Sequence, residues 1–110
     1  MKKILWNQKA RELVRSLDDE TKREIGTLLM ILQNGAMLKE PQSKPMRSIH
    51  PHAYELRIKD KKGNYRVIYA IGIADAILIP HAFVKKTQKT LFREISIARQ
   101  RLKELIDEIK

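Results

Sequence analysis

The strongest constraint in this chain is a pair of period-2 segments hinged on one glycine. Tyr54, Leu56 and Ile58 alternate with Glu55, Arg57 and Lys59, and Tyr65, Val67, Tyr69 and Ile71 alternate with Arg66, Ile68 and Ala70 across a Gly63-containing turn. Strict alternation places successive side chains on opposite faces of a pleated strand, so the pattern predicts an antiparallel hairpin with an apolar face and a wet face. Arg57 and Lys59 then share the wet face, and Arg66 falls on the same side. A third segment, Ala76–Val84, is apolar without alternation, as expected of a strand covered on both faces. Pro80 interrupts it and donates no hydrogen bond, which predicts an edge or a bulge there.

Helical spacing frames these strands. Ala10, Leu13, Val14 and Leu17 recur at i, i+3, i+4, i+7, as do Ile25, Leu28, Leu29 and Leu32, predicting a helical hairpin after a short strand at Lys3–Trp6. Asp18 or Asp19 suits the cap of the second helix, and Asn34-Gly35 suits its left-handed stop. A loop is expected over 36–45, with a short strand at Met46–Ile49 carrying Arg47. Leu91, Ile95, Ala98, Leu102, Leu105 and Ile109 step by 4 and 3 and predict one long amphipathic helix with Thr90 as its N-cap. The fold expected is α+β: a helical hairpin on one face of a mostly antiparallel sheet of 3–5 strands, with a C-terminal helix, in a single domain over residues 1–110.

Charge narrows the function. The 110 residues hold 23 Lys+Arg against 13 Asp+Glu, a net of +10. The excess is concentrated: residues 44–93 hold 11 basic and 3 acidic side chains, while 94–110 hold 4 of each. One segment with most of the charge points to an anionic partner met by one face, and nucleic acid is the commonest such partner. There is no Cys, so disulfides, thiolate metal sites and cysteine nucleophiles are excluded. The glycines are scattered, which argues against a phosphate loop. No apolar stretch reaches the roughly 20 residues of a membrane span and no apolar segment follows Lys2 and Lys3, so a cytoplasmic protein is expected. His50 and His52 flank Pro51 and read as loop histidines rather than metal ligands. No cofactor or metal is expected.

The chemistry-bearing candidates are cations. Arg57 and Lys59 on one strand, Arg66 on its partner, and Lys85, Lys86, Gln88 and Lys89 beyond the third are expected to converge at one end of the sheet. Guanidinium groups bind phosphate bidentately and stay charged, so Arg57 and Arg66 suit a phosphodiester and its transition state. Lysines among other cations lose protons more easily, which opens proton transfer to Lys85 or Lys86. Most aromatics fit the inward pattern, with Phe83 and His81 as the exceptions, and His81 reads equally as a satisfied core histidine or a catalytic one.

The runs Tyr54-Glu55-Leu56-Arg57, Gly63-Asn64-Tyr65-Arg66-Val67-Ile68-Tyr69 and His81-Ala82-Phe83-Val84-Lys85-Lys86-Thr87-Gln88-Lys89-Thr90, the last followed by a helix, resemble the RelE/ParE toxin superfamily, in its phage-derived HigB-type branch. The resemblance implies a type II toxin: a ribosome-dependent mRNA endonuclease, acting without metal, in which the 2′-hydroxyl attacks the adjacent phosphate. It places Arg57 and Arg66 on the scissile phosphate and Lys86 as a second phosphate-binding cation, with Lys85, Lys86 and His81 as proton-transfer candidates and Lys86 first among them. Lys59, Lys85, Gln88, Lys89 and Arg47 would bind RNA. The implied partners are a cognate antitoxin of helix-turn-helix, HigA type, the ribosome and mRNA, with no membrane partner. Glu55 and Phe92 stand where RelE-type members carry a lysine and a tyrosine, and Leu91 where this branch commonly has proline. Two further functions are compatible with the fold: a ParE-like inhibitor of DNA gyrase, and a non-catalytic RNA-binding module.

Overall fold

The computed structural model describes residues 1–110. The elements run β1 (Lys3–Trp6), α1 (Gln8–Ser16), α2 (Asp19–Gln33), β2 (Ser43–Pro45), β3 (Ala53–Lys59), β4 (Asn64–Ile73), β5 (Ala76–Lys85) and α3 (Phe92–Glu108). The strands form one five-stranded sheet in the order β1-β5-β4-β3-β2, antiparallel except where β1 runs parallel to β5.

Local chemistry sets the element ends. The Asn7 side chain accepts from the Ala10 N–H at the start of α1, and Asp18 accepts from the Thr21 N–H at the start of α2. Each such cap satisfies an N–H of the first turn that has no partner within the helix. At the end of α2, Gly35 takes φ +92°; its N–H reaches the Leu32 carbonyl and that of Ala36 reaches Ile31, closing a Schellman turn that only a residue tolerant of positive φ completes cheaply. The β3–β4 turn is tied by Asp60 Oδ1, which accepts from the Lys62 and Gly63 N–H groups, while Asp60 Oδ2 accepts from the Thr21 hydroxyl of α2.

Several expectations need correction. The face of the central hairpin expected to be wet is partly covered by α3. Ile25, Leu28, Leu29 and Leu32 of α2, with Ala10 and Val14 of α1, bury Leu56, Ile58, Tyr65, Val67, Tyr69 and Ile79, whereas Ala98, Leu102 and Leu105 of α3 bury Ile68, Leu78 and Phe83 on the other side. Ala53 and Ala70, paired across β3 and β4, are small enough to let α3 approach that second face. The short strand lies at Ser43–Pro45, inside the expected loop, while Met46–Ile49 forms a turn. Pro45 is accommodated because β2 is an edge strand with no ladder on its outer side. Pro80 lies where β5 carries one extra residue between its pairings to Ile68 and Ala70, which is the expected bulge, and just past the last residue of β5 paired to β1, Ile79.

Thr90 does not cap α3. The N-cap is Leu91, which makes no side-chain cap bond and is exposed rather than part of the buried stripe. Nor is Phe83 an aromatic exception: it is buried against α3, and the outlying aromatic is Phe92, 75% exposed.

Candidate functional site

The β3–β4–β5 register arranges the site in rows. Arg57 pairs with Arg66, which pairs with Phe83, and the row beyond it at the hairpin end is Lys59, Asn64 and Lys85. The row on the other side is Lys44, Glu55, Ile68 and His81 across four strands. Partners in register share a face, so Arg57, Arg66, Lys85, Glu55, Lys44 and His81 all project on the α3 side. α3 covers the Glu55 and His81 row and, beyond it, Phe83 of the arginine row, while the Arg57 side chain at the other end of that row stays 32% exposed.

Glu55 is the centre of this arrangement. It is 1% exposed, although its alternating position predicts a wet side chain. Its Oε1 lies 3.6 Å from Arg57 Nε and 3.4 Å from Arg66 Nε, and its Oε2 accepts a 2.6 Å hydrogen bond from the Thr90 hydroxyl. The two Nε–H groups are near enough for ion pairing but not aligned for hydrogen bonds, and both atoms are buried without another partner. One carboxylate thus compensates two guanidinium groups while leaving donor capacity on each. Arg66, with a side chain 13% exposed, also donates from Nη1 to the Tyr65 carbonyl. Burial works to lower the pKa of Arg66 and Glu55 opposes it, so the group keeps its charge.

The remaining cations divide. Arg66, Lys85, Lys86 and Gln88 line one hollow of about 510 Å³, and Lys85, Lys86 and Lys89 line an adjoining one of about 240 Å³ with Arg93 and Leu91. Arg66, Lys85, Lys86 and Gln88 thus share one hollow, Lys89 lines the adjoining one, and Arg57 lines neither but is paired with Arg66 on the neighbouring strand. Lys59 and Arg47 lie outside both hollows. Lys59 lines a separate groove with Asp18, Glu20 and Lys62, and Arg47 occupies the turn after β2, beside the Ala53 end of β3 and thus at the opposite end of the sheet from Lys85. Lys85 is half-buried and its ammonium is lowered below the ordinary lysine range, by burial first; Arg66, Arg57 and Lys44 add to this and Glu55 counters it. Lys86 is exposed past the end of β5.

His81 is buried and fully engaged. Arg101 Nη1 donates to its Nδ1 at 3.0 Å, and its Nε2 lies 2.8 Å from Glu94 Oε1. Arginine has no acceptor, so Nδ1 must be the lone-pair nitrogen and Nε2–H the donor to Glu94, which makes the ring neutral. Burial lowers its pKa, the Glu94 hydrogen bond opposes, and Arg101 lowers it further. The ring stacks on Phe83 with centroids 5.1 Å apart.

Sequence reasoning missed Glu55 as a buried counterion, Lys44 as its cross-strand neighbour, Thr90 as its hydrogen-bond donor, and the Glu94 and Arg101 partners of His81. A signal existed for the first: an acid in a basic segment, two residues from Arg57 on the same strand face. None existed for the pairs that join α3 to the sheet.

Elsewhere, no group of three His, Asp or Glu side chains is placed to hold a metal ion, and no helix is long and apolar enough to cross a membrane. No curated protein sequence matches this chain. Among solved structures, the isolated E. coli RelE toxin superposes with a TM-score of 0.58 over 100% of both chains at 12% identity, which establishes the shared fold. The family model for phage-derived Gp49-like proteins (DUF891) matches residues 12–103, a span that includes both arginines, the Lys85–Thr90 segment and most of α3. This chain belongs to that phage-derived Gp49-like family and has the fold of the RelE toxin.

Proposed function

We propose that this protein is a ribosome-dependent mRNA endonuclease, the toxin of a type II toxin–antitoxin pair. The observation that carries the reading is the direct pairing of Arg57 with Arg66 beside Lys85, with Arg66 and Lys85 lining one open hollow. Two guanidinium groups held in place by Glu55, with Arg66 opening on the hollow it shares with Lys85, suit a phosphodiester whose charge rises in the transition state, and preorganised charge of this kind is usually the largest catalytic term.

In the proposed reaction the ribose 2′-oxygen forms a bond to the adjacent phosphorus and the bond from phosphorus to the 5′-oxygen breaks. Lys85 in its neutral form takes the 2′-hydroxyl proton; its lowered pKa and its place on the arginine face favour it over Lys86 for this role. Lys86, Gln88 and Lys89 hold the flanking backbone, and the 5′-oxygen leaves with a proton from Lys86 or solvent. His81, neutral and held at both nitrogens, is a positioning residue that ties the first turn of α3 to β5. These side chains supply the charge and proton transfer that the reaction requires, so the reading calls for no metal or cofactor. It calls for a cytoplasmic site of action on the ribosome and for a cognate antitoxin, of helix-turn-helix type, that shields the basic hollow. Lys59 and Arg47 are dropped from the proposed RNA contacts.

Primer extension on cellular mRNA after induction tests the reading. New 5′ ends within codons are expected; intact mRNA with altered DNA supercoiling would replace it with gyrase inhibition, and RNA binding without cuts would leave a binding module.

A further inference from the structure

Thr90 stands one residue ahead of the α3 N-cap, and its hydroxyl is turned away from the helix to Glu55 Oε2 at 2.6 Å. α3 starts from a leucine with no side-chain cap bond. A threonine within reach of a helix start that leaves it uncapped breaks a local preference, and such breaks concentrate where a competing interaction is needed. The competing interaction here is the one hydrogen bond joining residues 86–91 to the sheet. The segment's other side-chain bond, Thr87 Oγ1 to the Lys89 carbonyl, is internal, and its main-chain bonds run into the first turn of α3.

Glu55 reads both ends of this contact. Its Oε1 faces the Nε atoms of Arg57 and Arg66, while its Oε2 receives Thr90. The strands that hold the arginines and the segment that holds Lys86, Gln88 and Lys89 are thereby registered through a single buried carboxylate.

We propose that Thr90 and Glu55 form a latch that sets the Lys86–Lys89 cations against the Arg57 and Arg66 pair, making both positioning residues for RNA cleavage. The inference rests on the nuclease reading for its functional half; its structural half is independent. The latch requires a hydroxyl at position 90, not a β-branched shape, so Ser and Val separate it from packing.

The test compares wild type, Thr90→Ser, Thr90→Val and Arg66→Ala in cleavage of mRNA on programmed ribosomes, alongside hydrogen exchange of the Glu94 and Ile95 amides, which both donate to the Leu91 carbonyl at the end of the segment. Thr90→Val should lower kcat at least tenfold with KM changed less than threefold, and speed exchange at Glu94 and Ile95 at least tenfold. Thr90→Ser should stay within threefold of wild type in both. Unchanged exchange in Thr90→Val overturns the latch whatever the activity, and unchanged kcat overturns its positioning role. If wild type and Arg66→Ala alike leave mRNA intact while Thr90→Val still loosens the segment, the nuclease reading has failed, and the catalytic half of the proposal falls with it.

Discussion

Arg57 and Arg66 face each other across β3 and β4, and both reach the same oxygen of one buried carboxylate, Glu55 Oε1, at 3.6 and 3.4 Å. Two like charges in adjacent strands repel, and a carboxylate out of water is costly alone. Together they form a compensated cluster in which neither the acid nor the arginines can be changed independently. That coupling separates a built anion site from a merely basic surface, and it shapes what each substitution should do.

Arg66→Ala should therefore lose stability as well as function. Glu55 keeps only Arg57 and Thr90, and the weakened compensation of a buried charge should cost about 1–3 kcal/mol in denaturant unfolding. Arg66→Ala with Glu55→Gln should recover at least half of that loss. A single variant as stable as wild type would show that the carboxylate does not depend on Arg66.

Lys85 carries the prediction on pH. Its pKa is lowered by burial first and is held up by Glu55. If its neutral form takes the 2′-hydroxyl proton, cleavage rises with pH as the ammonium deprotonates, and Glu55→Gln should move that acidic limb to lower pH while reducing the maximum rate. The pH–rate profile of single-turnover cleavage reads this directly, and a limb unmoved by Glu55→Gln or still present in Lys85→Ala would remove Lys85 as the base.

Stability should depend on pH through His81. Its folded pKa lies below the ordinary 6.5 because burial disfavours the charged ring. On acidification the unfolded chain takes up a proton first, so stability is at its full value above pH 6.5 and falls as pH drops below it, until the folded ring is itself protonated. His50, lowered by burial first and then by His52, adds to the same slope, whereas the lowered carboxylates Asp18 and Asp60 act nearer their ordinary value of 3.8. The melting temperature should fall between pH 7 and pH 5, with a shallower slope in His81→Gln; equal slopes would show that the ring is not the buried, neutral donor described.

The β4–β5 turn offers a test of the backbone. Ala74 and Asp75 both have positive φ, 51° and 53°, the conformation a tight two-residue hairpin turn requires. Alanine adopts it at a cost that glycine avoids, partly offset by the greater freedom of glycine when unfolded. Ala74→Gly should stabilise the protein by about 0.5–1 kcal/mol in urea unfolding, and a loss of stability would mean the turn is not strained.

Much of this fold was legible because periodicity records which face a residue presents. Tyr54 to Ile71 yielded the central hairpin and put Arg57 and Arg66 on one side of it, and Ile25 to Leu32 yielded the buried stripe of α2. What stayed hidden depended on partners distant in sequence. Glu55 and Arg57 are alternates on one strand face and read as equally wet, yet α3 and Thr90, some 35 residues on, bury the acid. Lys59 shares that face but falls past the reach of the cluster, and Arg47 was misplaced with the strand that formed three residues earlier. Thr90 had the right chemistry for a cap, where its oxygen would accept, but its hydroxyl instead donates to Glu55 across the fold. The apolar run Ala76–Val84 already demanded two covered faces, and only the long helix was free to supply the second.

The most direct test of the central claim is cleavage of end-labelled mRNA on purified programmed ribosomes, with the product termini identified. Wild type should cut within the ribosome-bound codon, leaving a 2′,3′-cyclic phosphate and a 5′-hydroxyl, and Arg57→Ala and Arg66→Ala should each cut at least 100-fold more slowly while still binding ribosomes. Intact mRNA with wild type, or wild-type rates from either arginine variant, would contradict it.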